Sequence, residues 1–218
     1  MLQNIGIIVA MEEEAINIKK NLEALLSKYE LTFLHDDVSR YRTKDKNIYI
    51  IVSGIGMNNA VIACSRLQDW FHCTRIYNIG TCGCLKADNV RVGDIKKFSN
   101  NIINYAFRLH PLKYGFDDCN IGSRNLLETE DLLVTCSYYG TAEILEDKEL
   151  KLNNIKNVFV DMEGYGVAAF CIKRSIYYEI IKVVSDFGNE DVFDNNVEQP
   201  DTYQNLKNII SQILSGEK

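Results

Sequence analysis

Residues 5–10 form an almost unbroken apolar run, the pattern of a short strand covered on both faces inside a sheet. From Met11 the period changes: Ala15, Ile18, Leu22, Leu25 and Leu26 recur on one side of a 3.6-residue repeat, which predicts a helix over residues 11–26. Residues 29–34 and 38–44 alternate around His35, Asp36 and Asp37 as a hairpin would. A core strand at 48–52 runs into Ser53-Gly54-Ile55-Gly56 and then a helix over 59–70. The same logic repeats with a strand at 75–79, and Gly80-Thr81-Cys82-Gly83 reads as a tight turn. Further strands are expected after Gly93, at 132–136, at 158–160 and at 178–184, the last ending at Ser185-Asp186. Helices are expected around 142–145, over 163–174 and over 201–214, where Tyr203, Leu206, Ile209, Ile210, Ile213 and Leu214 share a face.

Short apolar strands alternating with amphipathic helices point to an α/β fold, a single-domain three-layer α/β/α sandwich on a mixed, mostly parallel sheet. No Pro/Gly/Ser-rich linker divides the 218 residues, so one domain over 1–218 is the economical division. With 46% hydrophobic and 25% charged residues the chain can build a core, and intrinsic disorder is not expected. The net charge of −6 gives no reason to expect nucleic acid as a partner. The apolar runs are too short for a membrane span, and the N-terminal segment gives no reason to expect a secretory leader. Seven cysteines, an odd number scattered along the chain, read as reduced thiols in a cytoplasmic protein. Cys82 and Cys84 have no second pair with zinc-site spacing, so no metal is expected.

Three carboxylates stand where strands end: Glu12 after 5–10, Glu163 after 159–162 and Asp186 after 180–185. If those strands run parallel, their ends share one edge of the sheet, where open α/β folds place ligands. Carboxylates in unlike surroundings can divide the work of base, acid and charge stabiliser. Each also has a plain structural reading, since acids favour helix starts and turns.

The segments IGIIVAMEEEA, VSGIGMNNA, NIGTCGCL, VGDI, VDMEGYGVAAFC and KVVSD, in this order, resemble the nucleoside phosphorylase and nucleosidase superfamily. Their likeness is greatest to its bacterial 5′-methylthioadenosine/S-adenosylhomocysteine nucleosidase branch. The resemblance implies hydrolysis of an N-glycosidic bond in a small purine nucleoside, without a cofactor, by a homodimer. It assigns Glu12 to activating water and Asp186, with Ser185 beside it, to protonating the purine. It places Met162 and Glu163 at the ribose, and Thr81, Cys82 and Gly83 in the nucleoside pocket. Phe107, Leu109 and Pro111 become candidates for a wall of the partner's pocket, and Tyr138 or Tyr139 for stacking on the base. Gly164 stands where relatives usually carry alanine after the glutamate.

Two alternatives remain at this level. A phosphorylase would use inorganic phosphate in place of water, and the acidic Met11-Glu12-Glu13-Glu14 segment is unfavourable for that anion. A nucleoside-binding module that has lost turnover would keep the scaffold alone.

Overall fold

A computed structural model describes residues 2–105, 120–121, 130–137, 144–145, 155–188, 203 and 205–216. In chain order the elements are β1 (Gln3–Val9), α1 (Glu12–Leu25), β2 (Glu30–His35), β3 (Val38–Arg42), β4 (Lys46–Val52) and α2 (Met57–Asp69). They continue as β5 (Arg75–Lys86), β6 (Ile95–Phe98), β7 (Ile102–Asn104), β8 (Asn120–Ile121), β9 (Asp131–Thr135) and β10 (Asn157–Asp161). The described chain closes with α3 (Gly164–Arg174), β11 (Tyr177–Asp186) and α4 (Leu206–Ser215).

These strands form one mixed sheet in the order β2-β3-β4-β1-β5-β10-β9-β7-β8, with β11 pairing β5 and β6 off that path. Strands β4, β1, β5 and β11 are mutually parallel through their shared neighbours. The hairpin strands at one edge and β6 are antiparallel. Helices cover both faces. On one side Ala15, Ile18 and Leu22 of α1 and Leu206, Ile210 and Ile213 of α4 pack over Ile5, Ile7 and Ile181. On the other, Ala60, Ala63 and Leu67 of α2 and Val167, Ala168 and Cys171 of α3 pack over Ile8, Ile180 and Val184. The odd and even positions of β1 and β11 thus feed different layers, which is why both strands read as continuous apolar runs.

Two expectations are corrected. Residues 80–83 are not a turn: β5 is a single strand of 12 residues that runs through them to Lys86. Parallel pairing with β11 continues through Val183↔Thr81 and Val184↔Cys82, so the backbone stays extended there. The small residues serve side-to-side crowding rather than reversal.

The second correction concerns direction. β10 pairs antiparallel with β5, Phe159 opposite Cys84 and Val160 opposite Gly83, so the strand ends do not all meet as one parallel edge. They meet because β5 is long. Its first half lies beside β1, its second half beside β10, and β11 accompanies most of it. The C-terminal ends of β1, β10 and β11 therefore all arrive near residues 79–83 of β5.

Candidate active site

The acid delivered by β1 and α1 is Glu14, not Glu12. Glu12 lies on the outer side of the first helical turn, its side chain 57% exposed and 4.0 Å from Lys19. Glu14 is buried, and four donors fix its carboxylate: the Ala10 and Met11 amides on Oε2 at 2.9 and 3.2 Å, and the Thr81 amide and hydroxyl on Oε1 at 2.8 and 3.1 Å. The bond to Met11 is the reach-back from the third helical position that caps a helix start. The periodicity already contained this choice. Stepping back four residues from Ile18 along the buried face lands on Glu14, whereas Glu12 is more than a quarter-turn away at about 100° per residue.

Gly80 makes the approach possible. A Cβ there would stand 2.8 Å from Glu14 Oε1, so any larger residue would push the carboxylate out of its four bonds. Thr81 thus acts in this structure as a clamp on Glu14. Cys82 is buried one residue on, with Lys182, Asp161 and Asp186 close enough to influence its thiol. Burial raises that thiol well above the ordinary value, with Lys182 opposing, so Cys82 is a neutral, inert wall. Gly83 sits opposite both Val160 and Asp186, the junction at which β10 and β11 meet β5.

Glu163 precedes α3 at its N-cap and is 5% exposed. Its Oε1 accepts the Gly56 amide at 2.9 Å, and its Oε2 lies 3.4 Å from Lys182 Nζ. The loop before α2, with Gly54 and Gly56 at positive φ, has the backbone character of an anion loop, and the anion at its Gly56 amide is the protein's own carboxylate. Met162 is partly exposed and lines a cavity of about 380 Å³ with Ile55, Met57, Asn104, Thr135 and Ser137.

Lys182 escaped the sequence reading because it sits in an apolar strand, between Ile181 and Val183. It is 1% exposed, and its ammonium lies 2.9 Å from Asp161 Oδ2 besides its contact with Glu163. Asp161, the last residue of β10, was missed for the same reason. Burial alone works against the Lys182 charge, but Asp161, Glu163 and Glu14 outweigh it and hold its pKa above the ordinary lysine value. Burial is also the chief influence on Glu163. It raises the carboxyl pKa, Lys182 opposes, and Asp161 adds to the rise.

Asp186 is fully buried at the end of β11. Ser185 Oγ lies 2.7 Å from its Oδ2, and the Gly188 amide donates to Oδ1 at 2.7 Å. Ser185 Oγ is also 3.1 Å from the Cys82 carbonyl, tying the end of β11 to the middle of β5. Of the expected site residues, Thr81, Cys82, Gly83, Met162, Glu163, Ser185 and Asp186 gather around this junction. Glu12 does not.

The sequence of residues 4–117 matches the family model described as Phosphorylase superfamily, over more than half of the chain. The chain belongs to the phosphorylase superfamily. Within this superfamily it is 24% identical over 202 residues to a 5′-methylthioadenosine/S-adenosylhomocysteine nucleosidase of Staphylococcus carnosus, covering 85% of this chain and 87% of that protein. It is 26% identical over 210 residues to the nucleosidase of the same name from Staphylococcus aureus, with coverage of 85% and 87%. Two Helicobacter pylori structures share the fold, each with TM-score 0.73, 20% identity and 99% coverage of both chains. One is a 5′-methylthioadenosine/S-adenosylhomocysteine nucleosidase bound to a pyrrolidine-based ligand, the other a futalosine hydrolase.

Several superfamily expectations fall outside the described residues: Phe107, Leu109 and Pro111 for the partner's pocket, and Tyr138 and Tyr139 for the base. Cys64, Cys73, Cys82, Cys84, Cys136 and Cys171 are buried free thiols. Among the described residues no group of three or more His, Cys, Asp or Glu is placed to hold a metal, and no helix is long and apolar enough to cross a membrane.

Proposed function

We propose that the protein hydrolyses the N-glycosidic bond of a purine nucleoside, 5′-methylthioadenosine, S-adenosylhomocysteine or a close relative, with Glu14 in the role that the sequence alone gave to Glu12. The observation that carries this reading is the buried charge set. Glu14, Asp161 and Glu163 surround a single buried lysine, and Asp186 stands at the neighbouring strand end. Bond cleavage turns C1′ cationic and the purine anionic, so a ribosyl cation gains from carboxylates and the leaving base from an acid. Glu14, anchored by four donors, would orient water and accept its proton. Glu163, fixed by Gly56 and Lys182, would hold ribose hydroxyls beside Met162. Asp186, with Ser185 at its carboxyl, would supply a proton to the departing purine. General acid–base assistance is worth about 10²- to 10⁴-fold, so orientation and charge stabilisation must provide the remainder.

The same charges disfavour the phosphorylase alternative. Among the described residues of the site the only cation is Lys182, which already faces two carboxylates. A phosphate entering beside Glu14 would meet like charge without a free counter-ion. The nucleosidase names of the sequence relatives support water as the nucleophile. The futalosine hydrolase is as similar in fold as the nucleosidase, so futalosine belongs among the substrates tried. The reading includes a homodimer in the cytoplasm.

Purified protein incubated with 5′-methylthioadenosine, S-adenosylhomocysteine, futalosine, adenosine and inosine, with and without phosphate, tests this directly. Free sugar and free base formed without phosphate are expected. Strict dependence on phosphate with a sugar 1-phosphate as product overturns hydrolysis, and binding without turnover of any nucleoside supports the inactive module.

A further inference from the structure

Asp161 has more to do than end a strand. Its side chain is fully buried, and both oxygens are engaged. Oδ1 accepts the Thr135 hydroxyl at 2.6 Å, while Oδ2 accepts the Gly164 amide at 2.7 Å and lies 2.9 Å from Lys182 Nζ. The Glu163 amide is a longer 3.4 Å from the same oxygen. One carboxylate thus joins β9, the start of α3 and β11. The space it occupies also accounts for Gly164, since a Cβ at that position would stand 2.8 Å from Asp161 Oδ2.

The two contacts of Lys182 are unequal. Its ammonium is 2.9 Å from Asp161 and 3.4 Å from Glu163, although both acids are buried and both are within reach. A buried lysine closes on the acid that is best anchored to receive it, because an unpaired charge in the interior is costly. Here Asp161 is anchored by two further donors and draws the ammonium to its own side. Glu163, held from behind by Gly56, keeps an incompletely paired oxygen.

We propose that Asp161 is a positioning residue that holds Lys182 back from Glu163, leaving Glu163 Oε2 with only the long Lys182 contact and with acceptor capacity for the ribose hydroxyls. This rests on the hydrolase reading for its substrate but concerns an arrangement that can be measured without turnover. Asp161 does not touch the reacting atoms; it acts through Lys182. The charged groups influencing Glu163 are Lys182 from β11, Asp161 from β10 and Glu14 from α1, with the Gly56 amide donating from the loop before α2.

The test compares Asp161→Asn with Lys182→Gln. Asparagine retains the size and an acceptor for the Gly164 amide but removes the charge that restrains Lys182. The ammonium then closes on Glu163, and kcat falls roughly 10- to 100-fold, the scale of a misplaced catalytic group. Titration of the Glu163 carboxyl, followed by ¹³C NMR and assigned through its loss in Glu163→Gln, moves to lower pH in Asp161→Asn. It moves to higher pH in Lys182→Gln, where the cation that opposes the rise is gone. Removing either charge shifts that titration by Coulomb force alone, so the deciding readout is the Lys182 Nζ–Glu163 Oε2 distance in a crystal structure of Asp161→Asn: closure below the 3.4 Å of the wild type is expected, and an unchanged or longer distance overturns the proposal. If Asp161→Asn fails to fold, the same distance in Asp161→Ser decides. Turnover by the wild type separates this from the broader reading. A hydrolase whose Lys182–Glu163 distance is unchanged in Asp161→Asn refutes only the role of Asp161, whereas a wild type inert toward every nucleoside refutes the hydrolase.

Discussion

Two residues apart in a run of three glutamates, Glu12 and Glu14 have opposite surroundings: one faces solvent near Lys19, and the other takes four donors in the interior. The difference is measurable. Glu14→Gln should lower kcat by at least about 10²-fold, the lower bound for losing a general base, while Glu12→Gln changes it less than about twofold. Glu163 makes a second prediction, about pH. Its pKa is raised in the folded protein, burial being the main cause, so the native state holds the proton more tightly than the unfolded chain. Stability should therefore fall as pH rises from the ordinary carboxyl range through the raised value, and level off above it. Urea unfolding of wild type and Glu163→Gln over a pH series checks the sign: the variant gains relative to wild type across that window, although its turnover is lost.

At the scale of elements, α1, α3 and most strands follow from their apolar periods, whereas β5 does not. A strand followed by Gly-Thr-Cys-Gly has the local signature of a turn, and only pairing with β11 on one side and β10 on the other keeps it extended. Its glycines serve its neighbours. Gly80→Ala should leave most of the stability intact but displace the Glu14 carboxylate from the Thr81 amide, lowering kcat more than it raises KM. Steady-state kinetics and a thermal melt on the same preparation distinguish this from general damage. A large loss of melting temperature with normal kcat in the surviving fraction would contradict it. Lys182 and Asp161 show the converse limit of pattern reading. A lysine inside IIKVVSD and an aspartate ending NVFVD look like a solvent-facing residue and a turn, until the pairing of both strands with β5 places them 2.9 Å apart.

For the molecule as a whole, the mixed sheet with α1 and α4 on one face and α2 and α3 on the other explains how candidate site residues spread from Glu14 to Asp186 come to one place. The homodimer included in the functional reading predicts a solution mass twice that of the chain, measured by light scattering. A monomer at working concentration with full turnover would remove the partner from the site. The sequence by itself determined the element order, the layered α/β class, the ordered motifs of the superfamily and the roles of Glu163 and Asp186 as candidates. The elements and the class follow from periodicity and residue type, which are local, and the roles follow from the resemblance that the ordered motifs carry. Only the tertiary structure decided that the Thr81 amide and hydroxyl reach the Glu14 carboxylate, that β5 runs straight through its glycines, and that a buried lysine is shared unequally by two acids. Each of these depends on which distant backbone donors and charges arrive at the same point, and no local pattern encodes that arrival.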